Sequence, residues 1–427
     1  MTARGRAADI AARARVVAGE VWSLPGPGVI TGAADDDPSG IATYSLVGAQ
    51  TGYKLLWTSL LTLPLNAAVQ NMCARIGLVT GTGLSSNLRR HYPRPMLTVL
   101  VSLLLIANTT NIGADIAAVA SGFDLLTGIS EQWLVIPVGV AITVSEIVVP
   151  YRIFANYLKA LTFVLFAYIA DAFLAHPDWT TAITRTFIPK FEMNAEFVTT
   201  FVAVLGTTIS PYLFFWQTSE EVEELHKKHE HLGTEAEIRH AVFDVDFGML
   251  AANVVFYFIV LTTAATLYPA GIHHIDSARE AAEALRPLAG DQATTLFAIG
   301  FIGTGLLSIP VLAGSAAYAT AELFDWREGL EESPRAAPQF YAVIAVSTLI
   351  GLGIAVSGIG AIRALFVAAV VNGVISPLLI AAIILVANDE RILGKHMNST
   401  LSTVLGSVTV AIMGLAAIGM AITYVLV

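Results

Sequence analysis

The amino-acid sequence predicts an all-α membrane protein with eleven transmembrane helices. Three observations carry that prediction. The 427 residues are 55% hydrophobic and only 13% charged, with a mean hydropathy of +0.70, whereas soluble domains carry about 25% charged residues. Spanning a hydrocarbon core takes about 20 apolar residues per helix, and eleven such runs fall near 28–49, 54–78, 95–122, 132–149, 153–175, 197–217, 245–268, 292–323, 338–357, 361–387 and 403–426. With the N-terminus in the cytoplasm and the spans alternating in direction, 17 Lys and Arg residues lie on the cytoplasmic side and 6 outside. This is the bias that sets orientation, and one miscounted helix would scramble it. The expected location is the plasma (inner) membrane, multi-pass, with a cytoplasmic N-terminus and the C-terminus outside.

Taken in order, residues 1–27 are expected to form a cytoplasmic N-terminal segment, polar and Arg-rich, without the apolar stretch of a signal peptide. Residues 28–427 follow as one transmembrane domain. The first span contains "GAADDDPSGIATY", in which Asp35, Asp36 and Asp37 precede Pro38. One Asp at the centre of a bilayer helix costs about 2.5–3.5 kcal/mol, so three must face a cavity or buried protein rather than lipid. The third span carries Asp115 in an otherwise apolar run, and Glu146 near the end of the fourth is assigned to snorkelling or capping. The sixth contains "LGTTISPYLFFWQ", with Thr207, Ser210, Pro211, Tyr212 and Gln217. The following "EEVEELHKKHEHLGTEAE" reads as a solvated charged helix rather than a His-based metal sensor. Asp244 and Asp246 open the seventh span and are expected to stabilise its N-terminus. His273 and His274 read as outer-loop surface. Glu322 ends the eighth span, and the tenth holds Asn372 five residues before Pro377. Cys73 is alone, which excludes a disulfide framework and a Cys-based cluster. Without a phosphate loop, a nucleophile–base set or a nucleic-acid patch, the chain is not expected to be an enzyme or to take a cofactor. The expected partners are divalent metal ions, as substrate, and the lipid bilayer, with no nucleic acid and no obligate protein partner.

Pro38 and Pro211 interrupt the first and sixth spans, which hold corresponding places in two halves of five helices. Proline removes a backbone donor and clashes with the preceding turn, and broken backbone at membrane depth is tolerated only in a cavity or within protein. Paired interruptions in corresponding spans point to a transporter site at the midplane.

The stretch "GPGVITGAADDDPSGIATYSLVGAQTGYKLLW" resembles the first-helix signature of the NRAMP family of divalent-metal transporters. The resemblance continues through "ARIGLVTGTGL", "GADIAAVASG", "EALRPLAGDQATTLFAIGFIGTG" and "VVNGVISPLLIAAIILVANDERILG", and so covers nearly the whole chain. It implies a five-plus-five inverted repeat with discontinuous helices 1 and 6 and one extra helix: 28–175 as the first repeat, 197–387 as the second, 403–426 as the extra helix. It also implies secondary transport of divalent cations, with Mn²⁺, Mg²⁺ and Fe²⁺ as candidates. The main rival is an amino-acid or organic-solute transporter of the same fold, whose carboxylate substrate three aspartates would repel.

The resemblance assigns Asp37 to the family's metal-binding Asp. Ser39 replaces the motif's Gly, and Gly40 stands where the family has a ligand Asn. Ser210-Pro211-Tyr212 replaces Met-Pro-His, so the sulfur ligand is lost, and Gln217 replaces a second His. Asn372 lies near the polar tenth-helix position. Asp115 matches the third-helix acid implicated in proton movement, with Ala118 in place of a Glu. The implied metal residues are therefore Asp37, Asp36, Ser210, Asn372 and Thr207. Pro38, Ser39, Gly40, Pro211, Tyr212 and Gln217 line the helix breaks, and Asp115 is the candidate for a proton pathway. Losing sulfur while gaining Asp35 and Asp36 favours harder ions. Small residues at Gly40 and Ser210 are expected to widen the pocket, as suits partly hydrated Mg²⁺, a pattern resembling the NRAMP-related magnesium transporters. Two alternatives stay open for Asp35 and Asp36: ligation, or a contribution to the field alone. The thinned relay at Tyr212, Gln217 and Ala118 leads us to expect weak proton coupling or none.

Overall fold

A computed structural model describes residues 26–149, 163–227 and 232–426. The N-terminal segment up to residue 25, the first part of the fifth span, and His229 and His231 lie outside the described residues. The regular elements are helical throughout. The first span is two helices, α1 (Pro27–Asp35) and α2 (Pro38–Thr51). Then come α3 (Trp57–Thr80), α4 (Leu84–His91), α5 (Arg94–Thr127), α6 (Glu131–Val148) and α7 (Ala167–Leu174). The sixth span is also two helices, α8 (Ala195–Thr208) and α9 (Pro211–Lys227). The chain continues through α10 (Glu235–Thr266), α11 (Ala293–Phe324), α12 (Pro338–Ala355), α13 (Ala361–Ala387) and α14 (Thr400–Leu426).

Among the described residues, eight helical stretches are long and apolar enough to cross a membrane. The other three expected spans have identifiable reasons for falling short. The first is divided at its break, the fifth lies partly outside the described residues, and α3 buries Thr58, Ser59, Thr62, Asn66 and Gln70. Large apolar side chains on the outside, among them Trp133 (78% exposed) and Leu415 (69%), form the kind of surface that lipid, not water, covers.

The inner packing positions the two breaks. α2 packs on α10, and α9 packs on α3; exchanging spans 1 with 6 and 2 with 7 converts one contact into the other, as an inverted repeat requires. α5 and α11 pack along each other through the centre. Glycine lets two pairs of helices touch at backbone distance. A Cβ on Gly28 would lie 2.5 Å from the Val245 nitrogen, and one on Gly206 would lie 2.2 Å from the Gly373 nitrogen. Any side chain there would separate α1 from α10, or α8 from α13.

Two sequence expectations are corrected here. The seventh span begins not at Asp244 but at Glu235, where Thr234 and Glu237 form a capping box that satisfies the orphan donors of the first turn. Asp244 instead caps α1, accepting from the backbone nitrogens of Gly26 (3.2 Å), Gly28 (2.7 Å) and Val29 (3.3 Å). Asp246 accepts from the Asn71 side chain at 2.7 Å. The first three glutamates of the charged stretch after the sixth span are not solvated either, although Glu235 further along is exposed. Glu220, Glu221 and Glu223 are 6%, 4% and 9% exposed, because α9 continues to Lys227 inside the bundle. Glu322 does cap, accepting from Ser86 N at 2.8 Å in the first turn of α4, and Glu146 accepts from the Thr348 hydroxyl at 2.8 Å.

Candidate functional site

The site is built on the geometry of the first break. Asp36 leaves helical geometry (φ −83°, ψ 49°) and Asp37 is extended (φ −71°, ψ 172°). Pro38 then starts α2, where its missing N–H costs nothing. Asp37 is the N-cap, and its Oδ1 accepts from Gly40 N at 2.7 Å. Its Oδ2 accepts from Asn111 Nδ2 of α5 at 2.9 Å and from the Tyr212 hydroxyl of α9 at 3.4 Å. Asp37 is 2% exposed and is thus held from both helix breaks and from α5. An ionised carboxylate so placed has hydrogen bonds but no neighbouring cation, an arrangement that a bound cation completes.

The second break meets the first through short polar contacts. Ser39 Oγ lies 3.3 Å from Thr207 Oγ1, and Tyr44 Oη lies 3.0 Å from Thr208 Oγ1. The Tyr212 hydroxyl directs its one proton chiefly to the Ala34 carbonyl at 2.7 Å, leaving Asp37 Oδ2 the minor acceptor, while Ser315 donates to the Tyr212 carbonyl at 2.8 Å. Ser210 turns its hydroxyl back onto its own helix, donating to Thr207 O (2.8 Å) and Gly206 O (3.0 Å). Ser376 of α13 donates to the Ile209 carbonyl at 2.9 Å and fastens α13 to the break. One turn away, Asn372 is 1% exposed and its Nδ2 has no partner among the described residues.

The three aspartates diverge. Asp35 ends α1, Asp36 lies in the break and Asp37 caps α2, so successive side chains leave in different directions. Asp35 turns to α3, where Asn66 Nδ2 lies 3.4 Å from its Oδ2. Asp36 retains 7% exposure. Among the described residues no three His, Cys, Asp or Glu side chains converge to hold an ion. Any ligand set here is therefore mixed, at most two carboxylates with amide, hydroxyl and carbonyl oxygens.

Three further expectations meet the geometry. Gly40 does not open the pocket, because a Cβ there would sit 3.3 Å from the Tyr44 ring; that ring already fills the space. Gln217 does not reach the break. It accepts from Thr31 Oγ1 of α1 at 2.5 Å and donates to Glu221 at 2.9 Å, tying α1 to α9. Asp115 is fully buried and accepts from Ser308 Oγ at 2.6 Å through one oxygen, while its other oxygen has no partner among the described residues.

The sequence reading missed Asn111, although a signal was present: Asn108, Asn111 and Asp115 recur at spacings of three and four, on one face of a long apolar helix. It also missed a cavity of about 360 Å³ at the far end of α9, lined by Ser219, Glu223, Tyr318, Glu322 and Glu328. The Tyr318 hydroxyl and Leu330 N both donate to Glu223. Glu328, in the loop after α11, has its carboxyl pushed up to about 10 by burial, with Glu322 and Glu223 adding repulsion. This acidic mouth lies on the side that the Lys and Arg bias assigns to the cytoplasm.

Comparison with known proteins places these features. Residues 28–423 match the family profile of Nramp, natural resistance-associated macrophage protein-like. The chain is 30% identical over 300 residues to the divalent metal cation transporter MntH of Klebsiella pneumoniae (strain 342), covering 68% of this chain and 70% of that one. It is 31% identical over 303 residues to MntH of Yersinia pestis (strain Pestoides F), covering 68% and 71%. Among solved structures, the Eremococcus coleocola manganese transporter in complex with an aromatic bis-isothiourea compound shares the fold, with a TM-score of 0.75 at 18% identity over 94% of this chain and 87% of that one. With broken first and sixth spans meeting at Asp37 and a profile match over nearly its whole length, this chain belongs to the Nramp family.

Proposed function

We propose that this protein is a secondary transporter, not an enzyme, that moves divalent metal cations across the plasma membrane by alternating access around Asp37. The observation that carries the reading is the meeting of two helix breaks at one buried, hydrogen-bonded carboxylate. The named relatives are metal cation transporters, which supports the same cargo here. Around Asp37, the ligand atoms within reach of the two breaks come from Asp36, Thr207, Ser210 and Asn372, all oxygen donors. Such a set accepts Mn²⁺ and does little to reject Mg²⁺. Asp36 and Asp37 would repel a carboxylate substrate, which argues against the amino-acid alternative. α1 is the element that can move. It is held at its N-terminus by Asp244 and at Thr31 by Gln217, so alternating access by movement of α1 requires these contacts to release. With Asp115 as the retained acid of the relay and no histidine in it, metal entry is expected to be weakly coupled to protons or uncoupled.

The test is Asp37→Asn, which keeps the volume and removes the charge. Mn²⁺ uptake into proteoliposomes should fall to background while the protein inserts and purifies normally. Uptake near the wild-type rate would refute the assignment. Metal-driven acidification of the lumen that is lost in Asp115→Asn would overturn the expectation on coupling.

A further inference from the structure

One group of buried polar atoms is left unused by the Asp37 site. Asp35, Asn66 and Gln70 are 3%, 3% and 0% exposed, yet Asp35 Oδ1, Asn66 Oδ1 and both side-chain polar atoms of Gln70 have no hydrogen-bond partner among the described residues. Each unmet buried polar group is destabilising, and a buried carboxylate without a countercharge is more so. Asn66 and Gln70 lie one turn apart on α3 and so share a face. Met249 of α10, 1% exposed, completes the group, with Asn66 Nδ2 lying 3.1 Å from its Sδ and 3.4 Å from Asp35 Oδ2.

We propose that Asp35, Asn66 and Met249 form a second divalent-cation site, separate from Asp37, which the ion occupies after leaving the helix break. The inference rests on the metal-transport reading above. A half-turn of the Asn66 amide places its oxygen where the nitrogen now lies, 3.4 Å from a carboxylate oxygen and 3.1 Å from the thioether sulfur. Two oxygens 3.4 Å apart fit one edge of an octahedron with metal–oxygen bonds of about 2.4 Å, and the flexible Met249 side chain, its sulfur now 3.1 Å from that amide position, must draw back to take a neighbouring vertex. Gln70 lies one turn further toward the end of α3 that the Lys and Arg bias assigns to the cytoplasm, and its amide can take up a water of the ion's shell. The donor mixture selects the class of ion. Thioether sulfur rewards soft and borderline ions over Mg²⁺, so the sulfur absent at Ser210 is supplied here, off the midplane, by another helix. Selection for transition metals would then operate at this second step, after an oxygen-lined entry site that discriminates little.

The experiment titrates purified full-length protein with CdCl₂ by calorimetry and records the cadmium X-ray absorption spectrum of the saturated protein. Wild type should bind two equivalents of Cd²⁺ and show a cadmium–sulfur path. Met249→Leu, a near volume-conserving change, should weaken one equivalent at least tenfold and abolish the sulfur path. Asp35→Asn should lose that equivalent, and Asp37→Asn should lose the other. If Asp35→Asn does not fold, Met249→Leu decides the matter alone. A single equivalent in wild type, lost in Asp37→Asn and unchanged in Met249→Leu, would overturn the second site and leave the Asp37 reading intact. Absence of any binding of Cd²⁺ or Mn²⁺ to wild type would instead overturn the transport reading itself.

Discussion

Asn111 offers the sharpest quantitative test of how the Asp37 carboxylate is held. Asp37 Oδ1 is committed to the cap on Gly40 N at 2.7 Å, while Oδ2 relies on Asn111 at 2.9 Å and on the more distant Tyr212 hydroxyl at 3.4 Å. Asn111→Leu removes the shorter of the two Oδ2 bonds and leaves the cap untouched. A hydrogen bond to a charged group contributes about 1.5–3 kcal/mol, and each 1.4 kcal/mol is a factor of ten. If that bond orients Asp37 for the ion, Mn²⁺ affinity should fall roughly ten- to hundredfold. Stability should fall by less than that, because Leu also removes Asn111 Oδ1, which has no partner among the described residues, and this offsets part of the bond that Asp37 loses. The assay is the apparent KM for Mn²⁺ uptake in proteoliposomes, alongside the melting temperature in detergent. Affinity within threefold of wild type would show that the cap alone positions Asp37. A large drop in melting temperature would show that Asn111 serves the fold rather than the site.

Other substitutions test separate parts of the account. Ser210→Met puts sulfur at the second break and sacrifices only a hydroxyl that bonds its own helix, so Cd²⁺ should gain on Mg²⁺ in competition against Mn²⁺ uptake; an unchanged ratio would remove residue 210 from selectivity. Asp244→Ala strips the cap from α1, worth about 1–2 kcal/mol. The population with α1 released should rise roughly five- to thirtyfold, read as faster maleimide labelling of an Ala33→Cys probe, since Cys73 is buried; an unchanged rate would deny Asp244 its latching role. Glu328 stays protonated in the folded protein up to about pH 10 but ionises near pH 4.5 when unfolded, so it withdraws stability as pH rises between those values. Glu328→Gln should flatten the fall in melting temperature from pH 5 to pH 9, and a slope identical to wild type would place the group in water.

The sequence alone determined the solvent, the class of fold and the place of the two helix breaks. Apolar runs of bilayer length, alternating Lys and Arg, and two prolines beside polar residues are local signals, because lipid penalises each unpaired backbone or charged group where it stands. Asp37, Pro38 and Pro211 were legible for that reason. What the tertiary structure decided are relations between helices far apart in the chain. Asp244 looked like the start of its own helix and caps α1 instead, because the glycines at 28 and 248 let the two backbones touch. Glu220, Glu221 and Glu223 looked solvated and are buried, because α9 continues through them inside the bundle. Gly40 looked like space, but Tyr44, one turn on, fills it. The Asp triplet looked like one cluster, and the break sends its members to different partners. Direction in space depends on backbone torsions at the break and on which helix packs opposite, and neither is written in residue identity.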